Sequence, residues 1–159
     1  MFSRGAGSST GAQPYTAGAA REILLVGSED WAIRQAHEEL TDAGRVVHRC
    51  HESAESPFPC NALIAGVGCP LDRHSVDVVL DVRARPRADP SLGEMGAMCG
   101  LRAGLPLVVA GLSGAMKLAP WASQVPPHGT ILENCDAAVE AHAAAERPAT
   151  DGAPVGTNF

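Results

Sequence analysis

Aromatic residues are nearly missing from this chain: three Phe, two Trp and one Tyr among 159 residues, or 4%. Any core is therefore left to Val, Leu, Ile, Ala and Met. Positive charge is also short, with a formal net charge of −6 and a pI near 5.4. A duplex nucleic-acid binder needs a basic face to displace counterions. The one basic cluster, Arg83, Arg85 and Arg87, is interrupted by Pro86 and reads as a solvated loop, so nucleic acid is not an expected partner. No apolar run approaches the ~20 residues that cross a bilayer, and residues 1–20 carry one Arg without the apolar stretch of a secretory signal. The expectation is a cytoplasmic protein with no membrane partner. In that compartment its five cysteines are reduced thiols or metal ligands, not disulfides. A C-x-x-C pair is missing too, which excludes the standard zinc-finger spacings.

What is present describes a globular chain: 45% hydrophobic and 19% charged residues, enough for one domain. Residues 1–20 and 148–159 read as disordered tails rich in Gly, Ala, Ser, Thr and Pro, leaving a single folded body over 21–147. Glu22–Gly27 is a short apolar run closed by Gly, a buried first strand. Ser28 offers an N-cap, with Glu29 and Asp30 in the first turn of a helix that Gly44 ends. Strand two spans 45–49. Residues 50–76 form a Cys- and His-containing insertion loop whose middle, 62–65, is either a strand or a turn of helix. Strand three spans 76–83, a helix 91–103 and strand four 105–110. A loop over 112–129 follows, then a short fifth strand at 130–132 and a final helix from Asp136 to Glu146. This alternation predicts an α/β fold: an open, mostly parallel sheet of about five strands, flavodoxin- or Rossmann-like, with helices on both faces and an order near 2-1-3-4-5.

The helix over 91–103 carries glycines at 93, 96 and 100, and a fourth, Gly104, closes it. Each costs roughly 1 kcal/mol against Ala inside a helix. Something must approach its backbone: a ligand, the sheet or a partner helix. Ser91 and Glu94 have the spacing of a capping box. Glu94 also sits where strands end and helices begin, the usual ligand-binding edge of such sheets.

The runs Val26-Gly-Ser28, Asp77-Val-Val-Leu-Asp81, Asp89-Pro90, Glu94-Met-Gly96 and Gly104-Leu-Pro106 resemble nucleoside 2-deoxyribosyltransferases and related N-glycosidases over roughly 22–111. The resemblance implies a nucleoside- or nucleotide-like small molecule as ligand. It makes Glu94 the nucleophile of N-glycosidic cleavage or transfer, with Asp77 and Asp89 binding the ribose or assisting the leaving base. Gly27 and Ser28, with Asp81, Ser91 and Gly93, would line the binding floor. Leu92-Gly93 stands where that family carries Gly-Thr, and its aromatic base-stacking residues are missing.

A second constellation is independent of the first. Cys50, His51, Cys60 and Cys69 fall in the insertion, spaced C-x9-C-x8-C, with His48 and His74 at its ends. Imidazoles and thiolates on loops bounded by Pro and Gly suit zinc. Thiolates alone, with Cys99 as the fourth, suit an iron–sulfur cluster, where Cys-Pro is a common ending. The alternative is that small thiols simply fill space. Three functions follow as expectations: a nucleoside-type binding domain, a zinc or iron–sulfur sensor or accessory domain, and a homo-oligomeric interaction module whose glycine helix meets a twin.

Overall fold

In the computed structural model the described residues are 21–85, 89–111 and 130–147. Four strands, β1 (Glu22–Gly27), β2 (Val46–His48), β3 (Val78–Arg83) and β4 (Leu107–Gly111), form one all-parallel sheet in the order β2-β1-β3-β4. The register sets Leu25 opposite Leu80 and Leu80 opposite Val108. Parallel strands need crossovers that cover both faces, so the inner strands read as continuous apolar runs. All six residues of β3 are buried.

Helices α1 (Asp30–Asp42) and α4 (Ile131–Glu146) cover one face. There Ile33, Ala36 and Leu40 of α1 and Ile131, Cys135 and Ala138 of α4 pack on Ile23, Leu25, Leu80, Val82 and Val108. Ile33, Ala36 and Leu40 thus form the packed face of α1, while Trp31 is half exposed. Asp136 clamps α4 to the sheet edge through an ion pair with Arg21 Nε at 2.7 Å and by accepting from Arg45 Nη2 at 2.8 Å. Helix α3 (Met95–Arg102), with the one-turn α2 (Pro70–Arg73), covers the other face, where Ala97 and Leu71 pack with Leu24, Val26, Val79 and Leu107.

Several boundaries differ from the sequence reading. The expected fifth strand at 130–132 is the start of α4. Thr130 Oγ1 accepts the Glu133 N–H at 3.2 Å while the Glu133 carboxylate accepts the Thr130 N–H at 2.8 Å. That reciprocal capping box outweighs the strand preference of Ile131. Glu29 rather than Ser28 caps α1, and the Ser28 hydroxyl donates to the Glu29 carboxylate. The insertion's centre is a 3-10 turn, Asn61–Leu63. The expected tails and the 112–129 loop lie outside the described residues.

The glycine-rich helix is explained by the sheet beneath it. A Cβ on Gly93 would stand 2.6 Å from the Gly27 carbonyl oxygen and 2.9 Å from that of Ala54. On Gly96 it would meet Val26 Cγ1 at 2.7 Å, and on Gly100 it would overlap Val79. Gly104 differs: its φ of +77° ends the helix in the left-handed region. Gly93→Ala should therefore lower unfolding stability by about 1–3 kcal/mol, because backbone atoms must move to admit the methyl. Urea denaturation of the two proteins checks this.

Candidate functional site

Alternation along β3 turns Val79, Asp81 and Arg83 toward α3. Arg83, read from sequence as part of a solvated basic loop, is instead fully buried; only Arg85 of that cluster is exposed among the described residues. Its Nε donates to Glu94 Oε1 at 2.5 Å and lies 3.3 Å from Asp81 Oδ2. Glu94 belongs to the 3-10 turn Leu92–Glu94 that opens α3, and its second oxygen accepts the Ser91 N–H in the expected capping box. All three charged side chains are inaccessible to solvent.

Charge in this triad is divided unevenly. Burial pushes the Glu94 carboxyl up, but hydrogen bonds from Ser91, the Arg83 charge and the Asp81 side chain outweigh it and hold Glu94 below the usual carboxylate range. Asp81 moves the other way. Burial first, then the neighbouring Glu94 charge, raises it well above the ordinary value, against the pull of Arg83. The guanidinium is thus paired most closely with Glu94, while Asp81 beside it is pushed toward its protonated form.

The residues joined by the deoxyribosyltransferase resemblance fall in different places. Glu94 has both oxygens engaged and no exposed surface. Asp77 precedes β3 and accepts the Glu22 N–H at 2.8 Å, so the length of the strand, roughly 20 Å, separates it from the Arg83 end. Asp89 is exposed in the turn before Ser91. Gly27 and Gly93 are both buried; the missing side chain of Gly93 lets its backbone lie against the Gly27 carbonyl, and that of Gly27 makes room for the Val82 carbonyl and Ile33.

The cysteines behave differently. Cys50, Cys60, Cys69 and Cys99 all line one cavity of about 320 Å³, together with His51. Its remaining wall is mainly apolar, with Phe58, Met95 and Met98 among the contributors. Three separate segments supply the thiols: the chain after β2, the two ends of the 60–69 loop, and α3. Asn61 draws the first two together. Its N–H donates to the Cys50 carbonyl at 2.6 Å, its Nδ2 to the Arg49 carbonyl at 2.8 Å, and its own carbonyl accepts the Gly68 N–H at 3.1 Å. Cys69 caps α2, with Pro70 at the first helical position. On α3, a Cβ at Gly96 would stand 2.8 Å from Cys50 Sγ. The bare glycine lets the helix lie against that thiol, and Cys99 follows one turn later on the same face.

Burial, reinforced by Cys69, Cys99 and Cys60 nearby, pushes the Cys50 thiol up to about 12. His51 is buried, and its Nε2 donates to the Gly93 carbonyl at 3.0 Å. Burial, then the Arg49 charge, keeps its imidazole below its ordinary value and therefore neutral at pH 7. Cys135, in contrast, is a core residue under α4. Sequence reading missed Asn61 as the organiser of the loop and Arg83 as an interior charge; a polar residue directly after Cys60 in a loop of little periodicity was the available signal for the first.

What the fold and site define is a three-layer α/β domain with a four-thiol cavity on the α3 face. No family model, curated protein or solved structure matches the chain. Among the described residues, no helix is long and apolar enough to cross a membrane.

The triad makes a pH-dependent prediction. Folded Asp81 keeps a proton that the unfolded chain gives up near the ordinary carboxylate pKa. This group's contribution is therefore complete below that value and is lost as pH rises toward the raised folded pKa. Asp81→Asn mimics the protonated form, so its stability relative to wild type should increase as pH rises from 4 to 8. Denaturant midpoints across that range measure it; a constant difference would show that Asp81 is ionised in the fold.

Proposed function

We propose that this domain holds an iron–sulfur cluster on Cys50, Cys60, Cys69 and Cys99 and serves as a cluster-binding sensor or accessory domain. The observation that carries the reading is the meeting of four thiols from three chain segments in one mainly apolar cavity. Space-filling cysteines have no reason to converge, and four sulfur donors are the ligand set that such clusters use.

Spacing favours a cluster over a single zinc ion. Zn–S bonds of about 2.3 Å put tetrahedral thiolates only about 3.8 Å apart. Among the described residues, the group of three donors that all lie within 4.8 Å of one another is elsewhere, so no three of these thiols close to that span. A polynuclear cluster spreads its cysteines further than one ion does. The apolar wall of Phe58, Met95 and Met98 would limit water at the sulfurs, and hydrophobic shielding is one of the levers that set cluster potential. Cys99, exposed on α3, puts one ligand at the surface.

Anaerobic purification with iron and sulfide supplied is expected to yield brown protein with iron and acid-labile sulfide in similar amounts. Its broad visible absorption should bleach with dithionite. Cys60→Ser should lose most of the iron while Cys135→Ser keeps it. Loading should weaken as pH falls, because the thiols, Cys50 above all, must release protons to bind. Colourless, iron-free protein would overturn the reading, and stoichiometric zinc without a visible band would replace the cluster with a single ion.

A further inference from the structure

A second group of donors lies on the same face of the sheet but outside the thiol cavity. Glu22 opens β1, His48 ends β2, and His74 follows α2. One ligand atom from each lies within 4.8 Å of the other two. Glu22 Oε2 and His48 Nε2 are 2.7 Å apart, and the His48 and His74 rings stack with centroids 3.9 Å apart at 20°. Glu22 and His48 are half-buried, whereas His74 is exposed.

We infer that Glu22, His48 and His74 form a separate binding site for a divalent transition ion of the zinc class. Two imidazoles and one carboxylate are the donors that borderline ions choose, at bonds of about 2.0–2.2 Å, and three protein ligands leave a fourth position for water. The carboxylate and the first imidazole already stand within the span of one coordination sphere. Nearly parallel rings share no coordination plane, so the ion takes the place of the stack. The exposed His74 turns its nitrogen inward while the better-buried pair stays in place. Asp77 is not part of the set, because its carboxylate is held by the Glu22 N–H at 2.8 Å.

The three donors come from chain segments far apart in sequence. An ion here would tie the end of β2, two residues before Cys50, to the chain five residues beyond Cys69. It would therefore brace the cysteine-bearing segment from outside. The site stands on its own donors and does not require the thiol cavity to be filled. Its nitrogen and oxygen ligands are harder than thiolates, so the two sites sort different metals.

Cobalt(II) separates them in the full-length chain. Thiolate-bound cobalt gives an intense near-ultraviolet charge-transfer band, whereas cobalt on nitrogen and oxygen gives only weak visible bands. Cobalt and zinc titrations of Cys60→Ser, in which the cavity is broken, are expected to retain one equivalent of ion without the sulfur band. His74→Ala, a surface change, should weaken that binding about tenfold or more while leaving the iron content of the reconstituted protein unaltered. Glu22→Gln should weaken it likewise. Binding unchanged in both variants, or no ion held outside the thiolates, would overturn the inference. Loss of iron loading alone would overturn the cluster and leave this site standing.

Discussion

A guanidinium with no access to water holds this domain's second layer in place. Arg83 lies between Asp81 and Glu94, all three buried on the α3 face of the sheet. Removing one partner from such a buried pair typically costs about 3–5 kcal/mol, because the other charge is left without compensation. The pair joins the last residue of β3 to the turn that starts α3. It therefore fixes where that helix enters, and with it where Gly96 and Cys99 stand over the sheet.

Close packing completes what the ion pair begins. Gly93, Gly96 and Gly100 bring the 3-10 turn and α3 down onto Gly27, Val26 and Val79. That approach leaves Cys50 against the helix, and the hydrogen bonds of Asn61 then bring Cys60 and Cys69 alongside. The proposed cluster site is thus a consequence of two structural devices. A buried charge network sets the helix, and one asparagine folds an otherwise irregular loop back on itself. A four-sulfur ligand set split between loop and helix would also make the helix position responsive to the cofactor, which fits a sensor or accessory role.

Much of the architecture was legible in the chain. Apolar runs such as Glu22–Gly27 and Val78–Arg83 identify buried parallel strands because both faces are covered, and Gly44 and Gly104 mark helix ends because left-handed backbone favours glycine. The segment 130–132, expected as a fifth strand, starts α4 instead, because the Thr130 and Glu133 capping box outweighs the strand preference of isoleucine. The cysteine grouping was visible as composition, including Cys99 as a fourth thiol. Its geometry was not, because C-x9-C-x8-C spacing contains no local motif that forces the sulfurs together.

The sequence by itself determined the α/β class, the four strands in outline, helix ends such as Gly44 and Gly104, and which residues carry sulfur, imidazole and carboxylate. Those properties depend on local periodicity, capping and residue chemistry, which act over a few residues. Only the tertiary structure decided that Arg83 is interior, that Glu94 is an anchor with both oxygens occupied, and that the helical glycines serve the sheet. It also decided that Cys99 joins three cysteines 30 to 49 positions earlier. Burial and convergence arise when separate segments pack, and a carboxylate looks the same in sequence whether its partner is water, a substrate or a buried arginine eleven residues away.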